Sequence, residues 1–230
     1  YSNIELGRLL ERKIIYGMYP EIVSNESDAE RNLKNLTSSY TYKDILQYQK
    51  IKNPEILEKL LQALALQIGN EVSYNELASL IGIDKNTVSN YIQILEKAFI
   101  VFRLRPFSRN LRNELKKMRK IYFYDTGIRN ALINNLNPLE LRQDVGNLWE
   151  NFIISEKIKK NNNLNLSKNV YFWRNLQGQE IDYLEEKNGK LEGFEIKWKE
   201  SKFKKPKIFL ENYSNSSVRL INKKNFGKFV

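Results

Sequence analysis

Apolar positions keep helical spacing through the first half of this chain and give way to short alternating runs in the second. Over residues 3–16, Ile4, Leu6, Leu9, Leu10 and Ile14 form the stripe of an amphipathic helix, and Gly17-Met18-Tyr19-Pro20 stops it. Residues 26–36 and 40–50 predict two further helices. Pro54 suits the first turn of a helix over 54–68, with Leu57, Leu60, Leu61 and Leu64 apolar and Gly69 as its stop. Ser73-Tyr74-Asn75-Glu76 is a capping box opening a short helix, Gly82-Ile83 makes a tight turn, and Asp84 caps a third helix carrying Val88, Tyr91, Ile92 and Leu95. Two β-prone runs follow, 99–105 and 121–124, with a basic loop over 108–120 between them.

Three helices, a tight turn before the third and a two-stranded ribbon predict a winged helix. Its third helix would present Lys85, Asn86, Ser89, Asn90 and Gln93 to DNA bases or phosphates. Arg103, Arg105, Arg109, Arg112, Lys116, Lys117, Arg119 and Lys120 would be backbone contacts from the wing. The same core also serves protein–protein packing, so DNA binding is an expectation. Asp125-Thr126-Gly127 reads as a turn whose aspartate caps the next helix. Beyond it, Asp144 caps a helix striped by Val145, Leu148, Trp149, Phe152 and Ile153, with a breaker at 159–163. Strands follow at 170–174, 179–185 and 191–198, the last two joined across Asn188-Gly189, a strong hairpin signal. A helix near 206–213 and a strand at 218–222 complete a small α/β unit.

Composition narrows the chemistry. The chain has neither cysteine nor histidine, which removes disulfides, thiol nucleophiles, imidazole acid–base work and Cys- or His-ligated metals. Catalysis would fall to carboxylates, lysine, tyrosine or an oxygen-ligated metal. Net charge is +11, and it is localised. Residues 99–120 carry eight basic side chains against one acidic, and residues 197–230 carry ten against two. Two basic segments on an otherwise acidic chain are what a polyanion-binding face requires, with DNA, RNA and acidic membranes as candidates and a solvated lysine-rich surface as the blander reading. No apolar run is long enough to span a bilayer and no signal peptide is evident, so a cytoplasmic protein without membrane partners is expected. Numbering starts at Tyr1 without methionine, which suggests a piece of a longer protein.

One constellation carries chemistry. Alternation places Asp182 on the face of Glu180 and Leu184, while Glu195 and Lys197 share a face of the partner strand. Adjacent antiparallel strands lie about 4.8 Å apart, so Asp182 and Glu195 can converge on one cation. Glu150, from the preceding helix, can add a third carboxylate. Carboxylate oxygens with water suit Mg²⁺ or Mn²⁺, and Lys197 can orient an attacking water. Glu180 and Glu156 read as surface charges, though Glu180 shares the face of Asp182 and can contribute. Trp173 is expected to close the core, leaving Arg174 near the site.

Glu150, Asp182 and Glu195-Ile196-Lys197 resemble the E…D…E-x-K pattern of PD-(D/E)XK nucleases. The chain as a whole resembles the C-terminal half of a prokaryotic AAA-type ATPase family that joins a P-loop module to a winged helix and a nuclease-like terminal domain. The resemblance runs through Tyr16-Gly-Met-Tyr-Pro-Glu-Ile-Val23, residues 73–83, Lys120-Ile-Tyr-Phe-Tyr-Asp-Thr-Gly-Ile-Arg129, Gly146-Asn-Leu-Trp-Glu-Asn-Phe152, Trp173-Arg174, Gly178-Gln-Glu-Ile-Asp182 and residues 194–197. Two features depart from it: no P-loop motif is present, and Ile181 stands where the PD signature has proline. The resemblance implies an α+β chain in three parts. Residues 1–53 would be a helical segment following an absent ATPase module, 54–130 a winged helix, and 131–230 an α/β restriction-endonuclease-like domain. It further implies Mg²⁺-dependent phosphodiester hydrolysis leaving 3′-hydroxyl and 5′-phosphate ends, with Asp182, Glu195 and Glu150 on the metal and Lys197 orienting water. The ATPase module of the same polypeptide would be a partner, and an oligomer is compatible. A non-catalytic DNA-binding or assembly module of the ATPase is the alternative, and a purely protein-binding scaffold is a third reading.

Overall fold

A computed structural model describes residues 3–37, 53–108, 119–199 and 203–230. Helix α1 (Asn3–Tyr16) stops at Gly17, whose φ of +79° is left-handed. A Cβ there would also sit 2.0 Å from an Asp125 oxygen, so glycine answers both the torsion and the close approach. Helices α2 (Pro20–Ser24) and α3 (Ala29–Asn35) follow. The helix expected over 40–50 lies outside the described residues.

Helix α4 (Pro54–Leu66) buries Leu57, Leu60, Leu61 and Leu64. A two-residue strand, β1 (Glu71–Val72), is too short to show alternation and was not foreseen in the pattern. Ser73 caps α5 (Tyr74–Ile81), its hydroxyl accepting the Glu76 N–H at 3.4 Å. Asp84 caps α6 (Lys85–Lys97), Oδ1 accepting the N–H groups of Asn86 at 2.8 Å and Thr87 at 3.0 Å. Strands β2 (Val101–Pro106) and β3 (Arg119–Phe123) pair antiparallel, Val101 opposite Phe123 and Leu104 opposite Lys120. Val101, Ile121 and Phe123 pack with the leucines of α4 and with Val88 and Ile92 of α6. Phe102, Leu104 and Tyr122 pack the other way, into a cluster with Leu148, Trp149 and Phe152. The ribbon is apolar on both faces because both are covered.

Helix α7 (Thr126–Leu132) begins at Asp125, whose Oδ1 accepts the Ile128 N–H at 3.1 Å and whose Oδ2 accepts the Met18 N–H at 2.7 Å. Helix α8 (Val145–Asn163) runs through the breaker expected at 159–163. Asn161 is buried there and its amide donates to Glu185 Oε1 at 2.7 Å, a tertiary partner that offsets asparagine's weak helix preference. Strands β4 (Asn169–Arg174), β5 (Glu180–Lys187) and β6 (Lys190–Ile196) form an antiparallel meander turning at Asn188-Gly189. After α9 (Lys207–Asn212), strand β7 (Ser216–Ile221) adds in parallel to β6.

The result is a mixed α+β fold around a seven-stranded sheet ordered β1-β3-β2-β4-β5-β6-β7. Strand β2 pairs in parallel with β4 through Arg105–Tyr171 and Pro106–Phe172, so one sheet runs across the place where the sequence pattern changes. Among the described residues, no helix is long and apolar enough to cross a membrane.

Candidate active site

Lys120 and Tyr122 stand two residues apart on β3 and point to one side, toward α8. There Glu150 Oε1 accepts the Tyr122 hydroxyl at 2.6 Å and lies 3.3 Å from Lys120 Nζ. The same ammonium lies 2.6 Å from Glu180 Oε1 on β5, and 5.7 Å from the Phe172 ring centroid. Lys120 is 4% exposed, so a buried cation joins β3, α8 and β5. Burial opposes its charge, but Glu150, Asp182 and Glu180 outweigh that and hold it protonated above its ordinary range. Tyr122, buried beside Glu150, is pushed well above its ordinary value.

Asp182 reaches this cluster through a β-bulge. Tyr171 pairs with Leu184 but Trp173 pairs with Ile181, so Phe172 opposes both Asp182 and Tyr183. Strict alternation would put Asp182 with Glu180 and Leu184. The bulge instead sends Leu184 to the cluster of Trp173 and Ile181, and turns Asp182 with Tyr183 toward Phe172 and α8. Across β5 and β6 the pairing begins with Tyr183 opposite Phe194, which leaves Asp182 beside the Glu195–Ile196 end of β6. Asp182 Oδ2 accepts the Ile196 N–H at 2.7 Å, and Lys197 Nζ lies 2.8 Å from Glu195 Oε1. Among the described residues no hydrogen bond reaches the other Asp182 oxygen.

These groups titrate as a community. Burial, then the charge of Glu150, push Asp182 up to about 7 against the pull of Lys120, Lys197 and the Ile196 N–H. Burial and Asp182 raise Glu195 as well, against Lys197. Lys197 rises despite burial because Asp182, Glu195 and Glu150 favour its charge. The structure therefore brings together all four residues expected at the centre, Glu150, Asp182, Glu195 and Lys197. Glu180, Lys120 and Tyr122 join them. Glu180 shares the face of Asp182 as the alternation gave it, but it read as a surface charge and is instead paired with buried Lys120; nothing in the local pattern says that β3 lies against α8.

The residues expected on DNA are dispersed. Lys85, Asn86, Asn90 and Gln93 are exposed along α6, with Ser89 half-buried beside them. Arg105 is exposed; Arg119 lies over the Tyr74 ring at 5.3 Å from its centroid. Arg103 Nε donates to Glu96 Oε1 at 2.6 Å and its Nη1 to the Tyr74 hydroxyl at 3.1 Å, which makes it a packing residue. Lys120 lies inside the acidic cluster instead of on a wing. Arg109, Arg112, Lys116 and Lys117 lie outside the described residues. Trp173 closes a small core against Phe209, and Arg174 pairs with Glu71 at 3.3 Å. Beside Lys197, a cavity of about 730 Å³ is edged by Lys199, Lys223 and the first turn of α8.

Residues 7–139 match the family model described as "Domain of unknown function (DUF8612)". The chain belongs to the DUF8612 family. Residues 145–226 of this DUF8612 member match a second model, "Domain of unknown function (DUF4143)", a domain that is typically the C-terminal part of AAA-ATPase-like proteins. An uncharacterised protein of Mycobacterium tuberculosis is 32% identical over 136 residues, 58% of this chain and 30% of its own. One from Haemophilus influenzae is 23% identical over 178 residues, 75% of this chain and 42% of its own. One from Methanocaldococcus jannaschii is 26% identical over 196 residues, 80% and 41% respectively. The chain thus spans less than half the length of these curated relatives. No solved structure matches it.

The donor set in this DUF8612 member suits a hard cation. Mg²⁺ keeps several waters and takes one or two carboxylates, and Asp182 with Glu195 are two such groups on adjoining strands. Glu150 is committed to Tyr122 and Lys120, so it supports the pair more than it completes it. Among the described residues, no group of three or more acidic side chains is placed to hold a metal ion.

Proposed function

We propose that this chain is the DNA-binding C-terminal region of an AAA-type ATPase, built as a winged helix followed by a PD-(D/E)XK-type centre for phosphodiester hydrolysis. The observation that carries the reading is Asp182 standing between Glu150 and the Glu195–Lys197 pair, with one carboxylate oxygen that takes no hydrogen bond among the described residues. Asp182 and Glu195 would hold Mg²⁺ or Mn²⁺, which when bound supplies Lewis-acid polarisation of a phosphoryl oxygen and an acidified water. Burial, then the charge of Glu150, raise Asp182, and a divalent cation would offset the second of these. Lys197, held by Glu195 and about half exposed, can hydrogen-bond an attacking water or a phosphate oxygen at the cavity mouth. Lys120 and Tyr122 fix Glu150 in place. The polar stripe of α6 and the basic side chains Arg109, Arg112, Lys116 and Lys117 would grip the duplex, a contact whose strength falls with salt.

One observation favours the alternative, a non-catalytic DNA-binding or assembly module. The Lys120 ammonium already neutralises Glu150 and Glu180, which gives the carboxylates a structural use without metal. Supercoiled plasmid incubated with Mg²⁺ or Mn²⁺ separates the two readings. Metal-dependent nicking by the wild-type chain, lost in Asp182→Asn with DNA affinity retained, is the expected result. DNA shifted in a gel but never cut would establish the non-catalytic module. Cutting retained by Asp182→Asn would remove Asp182 from the chemistry.

A further inference from the structure

A second cavity, about 550 Å³, opens over the far half of α8, bounded by the β5–β6–β7 surface and residues 225–229. Lys157 lines it, seven residues after Glu150 and so about 10 Å further along the helix. This is a separate site on the same side of the sheet as the acidic cluster. Five cations line it, Lys157, Lys168, Lys205, Arg219 and Lys228, against two carboxylates. Both carboxylates are matched. Glu185, 2% exposed, is held by Lys168 and Asn161 with Lys157 at 4.0 Å, and Glu192 by Lys190 at 3.1 Å with Arg219 at 4.0 Å. Among the described residues, Lys205 and Lys228 have no carboxylate partner. Burial holds Lys157 below its ordinary value despite Glu185, with Lys168, Lys160 and Arg219 adding to it.

Two of the cations are seated on buried aromatic rings. Arg219 sits over Phe194 with its carbon 5.1 Å from the ring centroid, and Lys157 lies 4.5 Å from the centroid of Phe229. The Arg219 side chain is largely exposed, so its guanidinium remains open to a ligand. A guanidinium anchored on an aromatic ring can chelate phosphate oxygens or stack a base. The volume exceeds what orthophosphate needs and suits a mononucleotide. We propose that this cavity binds a nucleotide through its phosphate, either as free nucleoside 5′-monophosphate or as the 5′-phosphorylated end of a DNA strand. Binding here requires neither metal nor cleavage.

Titration of the 230-residue chain in EDTA tests this, using dAMP, deoxyadenosine, inorganic phosphate, and a short oligothymidylate with a 5′-phosphate or a 5′-hydroxyl. The phosphorylated member of a pair should bind at least about tenfold tighter than its dephosphorylated partner, as charge-assisted contacts require. Arg219→Gln and Lys228→Gln, both at exposed positions, should each remove much of that preference without unfolding the chain. Selective binding of dAMP and strand alike supports the free nucleotide as ligand; selective binding of the strand alone supports the strand end. Equal affinity with and without phosphate, indifference to both substitutions, or inorganic phosphate competing as well as dAMP would each overturn the assignment. Repeating the titration with Asp182→Asn separates the sites: the nucleotide preference should persist there even if plasmid is never cut.

Discussion

Asp182 concentrates the electrostatics of the candidate centre. It is 4% exposed, faces Glu150, and rises from an ordinary 3.8 to about 7. A carboxyl whose folded value lies above its unfolded one holds its proton more tightly in the folded chain. Its ionisation therefore drains stability as pH rises from about 4 to about 7. Asp182→Asn should remove that loss, leaving the variant more stable than wild type at pH 8 by about 1–3 kcal/mol and nearly equal to it at pH 4. Urea unfolding at the two pH values reads this; a variant less stable at pH 8 would contradict it. The Glu-x-Lys spacing and hairpin made Asp182, Glu195 and Lys197 legible in the sequence, because alternation and pairing are local. The face of Leu184 was misassigned, since a bulge inserts one residue without any local signature. Lys120 read as one more charge in a basic run, and only the packing of β3 against α8 reveals it as a buried counter-ion.

At the scale of elements, the start of α8 is tied to three other helices. Burial opposes the charge of Asp144, but hydrogen bonds from Arg142 and Arg129 prevail and hold it down to about 2. Arg129 also donates to the Ala65 carbonyl on α4 at 2.8 Å, and Asn130 to the Ile15 carbonyl on α1 at 2.8 Å. A carboxyl depressed in the folded state contributes stability above its unfolded value near 4, and loses it as pH falls toward 2. Asp144→Asn should cost about 1–2 kcal/mol at neutral pH, discounted for its partial exposure. The difference should shrink as pH falls to 2, which acid titration followed by circular dichroism measures; a constant difference would exclude the ion pairs as its source. Sequence patterning located most helices, and the caps Ser73, Asp84 and Asp125 hold because caps are local hydrogen bonds, whereas Asp144 precedes α8 with its carboxylate on Arg129 and Arg142 and makes no side-chain cap bond. The pattern ended α8 early, since the partner that accommodates Asn161 is Glu185 on a strand far along the chain.

The whole molecule is organised by one sheet rather than by the change in sequence grammar near residue 130. Phe102, Leu104 and Tyr122 from the first half share an apolar cluster with Trp149, Phe152 and Phe172 from the second, and β2 pairs with β4. Residues 131–230 expressed alone would expose that cluster and the free edge of β4, a template for aggregation. The fragment should show no cooperative thermal transition, whereas the 230-residue chain should unfold cooperatively; a fragment that melts cooperatively as a monomer would show that the second half folds independently.

By itself the sequence determined the kinds of elements, their order, most of their caps and the carboxylate–lysine pairing on the hairpin. Each of these rests on interactions spanning a few residues, which periodicity and turn chemistry record directly. Tertiary structure decided that β2 joins β4, that a bulge turns Asp182 toward α8, and that Lys120 is buried between Glu150 and Glu180. Those outcomes depend on which surfaces meet, and the drive to bury apolar area is non-directional, so no local pattern encodes the partner.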